Sequence, residues 1–149
     1  MARIENVELT TLCLVRDGEN YLLQNRIKSD WAGFSLPGGH VEAGESIVAS
    51  VIREIKEETG LTIYNPKLCG IKQFPIENGR YLVFLFIADK FDGNLVSSSE
   101  GKMYWINKNQ LDNYNLVPDF HELLKVMLDN NLNEFQYVVE NNIWKALLK

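Results

Sequence analysis

The chain has 149 residues with 15 basic and 20 acidic side chains, a formal charge of −5; hydrophobic residues make up 46% and charged residues 23%. This balance excludes a disordered tract or a coiled coil, and the length fits one domain over residues 1–149 that buries about two thirds of its unfolded surface. The acidic excess argues against a binder of nucleic-acid polymers, which works by neutralising phosphates, and no apolar run approaches the roughly 20 residues that span a bilayer.

The amino terminus, Met1-Ala2-Arg3-Ile4-Glu5-Asn6, lacks the charged-then-apolar pattern of a signal peptide, so the expectation is a cytoplasmic protein without a membrane partner. Cys13 and Cys69 each sit among apolar neighbours. Two isolated cysteines make neither a disulfide framework nor a zinc site, and both read as small core residues.

Residues 9–15 (LTTLCLV) and 21–26 (YLLQNR) read as strands joined by the turn cluster Arg16-Asp17-Gly18-Glu19-Asn20, a hairpin. A loop follows to Leu36-Pro37-Gly38-Gly39, where proline and paired glycines exclude helix. Residues 46–59 are predicted helical: Val48, Val51, Ile52 and Ile55 recur at three-and-four spacing, Glu45 and Ser46 suit the first turn, and Gly60 suits the left-handed stop. Residues 68–74 and 81–88 read as strands around Glu77-Asn78-Gly79. The second is apolar on both faces, as a central strand covered on both sides would be. Residues 91–101 read as loop, 103–106 as a short strand, 108–113 as a short helix, and 118–128 as a helix opened by Pro118. The tail from 134 to 149 fits either strand or helix. Its apolar residues (Phe135, Tyr137, Val138, Val139, Ile143, Trp144) point to core closure or a dimer contact, so monomer and homodimer both stay open.

Within the predicted helix, Glu54, Glu57 and Glu58 stand at i, i+3 and i+4 along one edge of the apolar stripe. Like charges at that spacing cost a helix about 0.2–0.5 kcal/mol per pair, and anions in a last turn oppose the dipole by roughly 0.3–1 kcal/mol each. A solvated acidic face is one reading of these residues; a hard cation, magnesium or manganese, is the other, because it takes carboxylate oxygens and turns the penalty into attraction.

The surrounding residues decide between them. Gly39, Glu45 and the run Arg53-Glu54-Ile55-Lys56-Glu57-Glu58-Thr59-Gly60-Leu61 match the Nudix box at every defined position, an agreement with chance odds of about 10⁻⁹ per start point at average residue usage. The chain therefore resembles the Nudix hydrolases. The resemblance implies an α/β (α+β) fold, an α/β/α sandwich with a mixed central sheet and the box as loop-helix-loop. It further implies metal ligation by Glu54, Glu57 and Glu58 with the Gly38 carbonyl, orientation of Glu54 by Arg53, and support of the loop by Glu45, Gly39 and Gly60. The general base is Glu54 or Glu100, the latter lying in the loop before the late strand.

Four further residues have a functional reading beside a plain one. Arg26 ends a strand where relatives often meet substrate phosphate, or is an ordinary strand-end arginine. Trp31 and Phe34 precede the glycine pair and stack on a base, or belong to the core. Asp119 reads a purine edge, as in mutator-type relatives, or is a first-turn acid favoured by the helix dipole. His40, His121 and Ser97-Ser98-Ser99 read as surface or loop.

The resemblance implies magnesium-dependent hydrolysis of a nucleotide, foremost a nucleoside triphosphate cleaved to monophosphate and pyrophosphate, with oxidised purines such as 8-oxo-dGTP as candidates. Pro75, fourteen residues after Leu61, keeps ADP-ribose or a nucleotide sugar in view. A nucleotide sensor without catalysis is the rival from another class. It fits less well, because such domains usually lose a box carboxylate or the arginine and all are present here.

Overall fold

The computed structural model describes residues 3–27 and 31–149; Met1, Ala2 and residues 28–30 of the expected loop lie outside the described part. Strand β1 (Asn6–Asp17) turns at Gly18 into β2 (Asn20–Arg26), pairing Arg16 with Tyr21 and Asp17 with Asn20. The expected hairpin forms, but only at its tip, because β1 leaves β2 to run at the centre of the sheet. There it lies parallel to β7 (Gly79–Ala88), from Asn6 opposite Gly79 to Val15 opposite Ala88.

The full sheet order is β11 (Ile143–Leu148), β10 (Glu134–Glu140), β6 (Lys67–Ile76), β7, β1, β2 and β3 (Gly33–Ser35), with β4 (Gly38–His40) also on β1 and β9 (Gly101–Asn107) also on β2. Strand β6 (Lys67–Ile76) is antiparallel to β7, and β9 (Gly101–Asn107) to β2. Three-residue strands stand where the sequence predicts only loop or helix end: β3 (Gly33–Ser35), β4 (Gly38–His40), β5 (Thr62–Tyr64) and β8 (Lys90–Asp92). Such segments carry no period, and each forms because a neighbour offers ladder partners. The sheet is mixed and curled, with one helix on each side.

Helix α1 (Ile47–Thr59) begins at the Ser46 cap, whose hydroxyl accepts from the Ala49 N–H, and ends at Gly60 with φ +83°. It covers a core of Cys13, Val15, Leu22, Val51, Ile55, Leu61, Ile63 and Phe86. Helix α2 (Phe120–Leu128) covers the opposite face, where Leu14, Leu23, Leu85, Phe120, Leu123, Val126 and Phe135 pack. Strand β7 supplies Phe84 and Phe86 to one core and Val83 and Leu85 to the other, the two-sided burial its sequence predicts. Cys13 is fully buried and Cys69 half-buried, both reduced, consistent with packing roles.

One expectation is refined, one is corrected and one open reading is settled. The expected short helix at residues 108–113 forms, as a 3-10 helix. The second long helix starts at Phe120, not Pro118, because Asp119 takes a left-handed conformation (φ +59°) that α1-type geometry does not allow. The tail is a hairpin, β10 (Glu134–Glu140) and β11 (Ile143–Leu148), turned by Asn141 and Asn142, both at positive φ. Strand β10 adds to β6 in parallel, so Phe135 and Tyr137 close the core while Ile143 and Trp144 stay exposed. Among the described residues, no helix is long and apolar enough to cross a membrane.

Candidate active site

Helix α1 brings the box together against strand β4. Arg53 is its hub. The guanidinium forks onto Glu45, with Nε to Oε2 at 2.7 Å and Nη2 to Oε1 at 2.9 Å. Its Nη1 donates to Glu54 Oε1 (3.0 Å) and Glu57 Oε2 (3.2 Å), and Nη2 also donates to the His40 carbonyl (3.0 Å). A guanidinium has five N–H donors, and these five contacts use them all. Arg53 thus has no donor left over, and it holds the carboxylates of Glu45, Glu54 and Glu57 in place. The fork holds the Glu45 carboxyl down at about 2, and Glu45 in turn accepts from the Glu42 N–H, tying the loop before the helix.

Glu54 faces inward, its side chain 12% exposed. Burial, with repulsion from Glu57 and Glu58, pushes its carboxyl up against the opposing pull of Arg53. A Cβ at Gly39 would stand 2.2 Å from Glu54 Oε2, so glycine there makes the room this carboxylate occupies. At Gly38 a Cβ would stand 2.0 Å from the Thr11 carbonyl, so that glycine serves the β1–β4 pairing.

Glu58 turns towards the loop before β9. It accepts from Ser98 Oγ (3.0 Å) and Gln24 Nε2 (3.3 Å), and Glu100 lies against it. Burial and the Glu100 carboxylate push its carboxyl up as well. The structure therefore brings Glu100 to the box helix. It also gives Ser98 a role that its loop setting hid, since the same hydroxyl takes the Glu100 N–H. Gln24 is a further residue that sequence reasoning missed. Its only signal was a buried polar residue on an apolar strand, visible once β2 was known to face α1.

Among the described residues, no three His, Cys, Asp or Glu side chains already meet at one metal-sized point. The donor set nonetheless fits a hard cation. Glu54, Glu57 and Glu58 offer oxygens along one helix edge, and two of the three, Glu54 and Glu58, are half-buried carboxyls raised by burial and by like-charged neighbours, the situation a divalent ion relieves.

The other expected residues, Arg26, Trp31, Phe34 and Asp119, lie outside the Arg53 network. Arg26 is half-buried at the end of β2, where its charge acts on the Tyr81 hydroxyl. Phe34 and Trp31 separate: Phe34 packs on Tyr104 and Tyr114 with centroids at 5.7 and 5.0 Å, whereas the Trp31 ring lies 5.8 Å from Lys72 Nζ. Asp119 is no first-turn capping acid. It makes no cap bond, and its carboxylate accepts from the Tyr137 hydroxyl at 2.5 Å. His40 contacts Glu8 at 3.0 Å and lies edge-on to Tyr81. A separate cleft of about 930 Å³, lined by Arg16, Lys67, Cys69, Asp89 and Asp129, sits at the far end of β1 and holds none of the box residues.

A fold of this kind with this loop-helix-loop defines a class, and comparison with known proteins supplies it. The NUDIX domain family profile matches residues 7–127, and the chain belongs to the Nudix family, as a hydrolase. It is 37% identical over 128 residues to the uncharacterized Nudix hydrolase YvcI of Bacillus subtilis, covering 82% of this chain and 80% of that one. An ADP-ribose pyrophosphatase of Methanocaldococcus jannaschii is 36% identical over 92 residues, 60% of this chain and 54% of that protein. Among solved structures, a MutT protein from Bacillus halodurans superposes with a TM-score of 0.78 at 31% identity, covering 95% of this chain and 97% of that one.

Proposed function

We propose that this hydrolase cleaves a nucleoside diphosphate linkage with a bound divalent metal, magnesium or in its place manganese, held by Glu54, Glu57, Glu58 and the Gly38 carbonyl. The foremost substrate is a nucleoside triphosphate, cut to monophosphate and pyrophosphate, with oxidised purines such as 8-oxo-dGTP included. The observation that carries this reading is the saturated Arg53 hub, which spends four of its five donors on the carboxylates of Glu45, Glu54 and Glu57 and the fifth on the His40 carbonyl. A bound divalent ion supplies charge opposite the phosphate oxygens and lowers the pKa of a coordinated water.

The chain's own residues do the rest. Arg53 orients Glu54 and Glu57, Arg26 meets phosphate from the strand end, and the attacking water gives its proton to Glu54 or Glu100. The acid limb of the pH–rate profile separates these two, since it disappears in Glu100→Gln only if Glu100 is the base. ADP-ribose is a second reading, favoured by the Methanocaldococcus relative and by Pro75.

The test is release of phosphate, pyrophosphate or ribose 5-phosphate across a nucleotide panel, with and without magnesium. Pyrophosphate from a triphosphate supports the first reading and ribose 5-phosphate from ADP-ribose the second. Glu57→Gln is expected to abolish metal-dependent turnover while the chain stays folded. Retained turnover overturns the metal assignment, and no turnover on any substrate favours a sensor.

A further inference from the structure

Lys72 stands on β6 in a setting that the box does not explain. Past the irregularity between Leu68 and Gly70, the alternation of β6 turns Gly70, Lys72 and Phe74 towards the α2 side, where a Gly70 Cβ would touch Val126. The Lys72 ammonium lies 5.2–5.8 Å from the centroids of four rings: Trp31, Phe74, Phe135 and Tyr137. No hydrogen bond from Nζ is formed among the described residues, so its three N–H donors are left open within an aromatic cage. The charged group that acts on Lys72 is Asp119, which the Tyr137 hydroxyl fixes in place.

Burying an ammonium this way costs stability, and a methionine or leucine would fill the same cage without that cost. A chain of contacts also links the cage to the box. Phe74 stacks on Tyr81 at 4.7 Å, Tyr81 meets His40 at 6.0 Å, and the His40 carbonyl binds Arg53. Trp31 is 39% exposed, so solvent reaches one wall of the cage. Flat apolar walls with one donor and one acceptor have the format of a pocket that stacks a heterocycle and reads its edge.

We infer that Lys72 is a specificity-determining residue, donating to a ring carbonyl oxygen of the substrate's base while Asp119 accepts from the adjacent ring N–H. Guanine presents that order, O6 beside N1–H. Adenine presents the reverse, an amino group beside an acceptor nitrogen, and would set its amino group against the ammonium. The inference rests on the nucleotide reading above for the substrate class but not for the chemistry at phosphorus.

Two measurements test it. The ratio of kcat/KM for GTP over ATP is taken in the wild type, Lys72→Met and Lys72→Leu, and binding of GMP and AMP is followed without metal by tryptophan fluorescence. The wild type is expected to favour guanine in both. Each variant is expected to lower the GTP/ATP ratio by roughly 5- to 150-fold, the discrimination that one good polar contact to a base edge carries. Thermal unfolding identifies a variant that fails to fold, and the other then decides. A wild type without guanine preference, or folded variants that keep it, overturns the inference. A wild type that binds GMP over AMP yet hydrolyses nothing overturns the proposed function and leaves the role of Lys72 standing.

Discussion

Adding one methyl group at Gly39 separates the chemistry of the box from its stability. The backbone of Gly39 lies in β4 opposite Thr11 and outside the left-handed region, so alanine meets no conformational penalty there. Its Cβ, however, would stand 2.2 Å from Glu54 Oε2, 2.3 Å from Cδ and 2.7 Å from Oε1. Ordinary contact begins near 3.4 Å, so the carboxylate has to retreat by about 1 Å. Arg53 grips Glu54 from the other side at 3.0 Å, and retreat breaks or stretches that bond. A misplacement of about 1 Å in a reacting group can cost on the order of 100-fold in rate. Gly39→Ala is therefore expected to lower kcat about 100-fold while the unfolding midpoint in urea moves little. The neighbouring Gly38→Ala is the control: its Cβ strikes the Thr11 carbonyl at 2.0 Å, and the cost there falls on folding. Titration under metal-saturating conditions with paired denaturation curves reads both effects. A Gly39→Ala enzyme with more than half of wild-type kcat would refute the placement of Glu54 as a working ligand.

Two other outcomes follow from the same contacts. Arg53→Lys keeps the charge but replaces a five-donor fork with one ammonium, so Glu45, Glu54 and Glu57 can no longer all be held. A 10- to 100-fold loss of activity is expected, about the usual effect of losing a group that orients metal ligands, and steady-state kinetics with a magnesium titration would show it. Burial pulls the Lys72 ammonium down from 10.5 to about 8, so the folded chain holds that proton less firmly than the unfolded chain. The penalty is fully present below pH 8 and fades as pH rises towards 10.5. Lys72→Met is then expected to gain up to about 3 kcal/mol of stability at pH 7, less what the ring faces return to the cation, and no advantage above pH 10.5. Denaturant midpoints across that range check both the sign and the window.

The sequence was most legible where local and global signals agree. Helix α1 carries a stripe of period 3.6, a serine at its cap and a glycine at its left-handed stop, so its limits can be read almost to the residue. Strand β7 announced its two-sided burial by being apolar throughout. The tail was illegible because Val138-Val139 breaks the alternation of Phe135, Tyr137 and their polar neighbours. The Asn141-Asn142 pair that makes the turn is a weaker signal than asparagine-glycine. Asp119 shows how a cap position can mislead: an acid at a helix start suits the dipole, yet its carboxylate is taken by a tyrosine 18 positions later. Lys72 was invisible for the same reason. Its rings come from positions 31, 74, 135 and 137, and only the parallel addition of β10 to β6 gathers them.

That addition has a consequence for how the molecule can be altered. The family profile ends at residue 127, and the hairpin that supplies Phe135 and Tyr137 lies wholly beyond it. The box sits on the opposite face of the sheet, fastened by α1 and β4, and among the described residues its core and that of the hairpin are separate clusters. The last strands thus form an interchangeable part. Joining a different hairpin after Leu128, matched to β6 through residues 134–136, would recast the aromatic walls around Lys72 while leaving the Arg53 hub as it is.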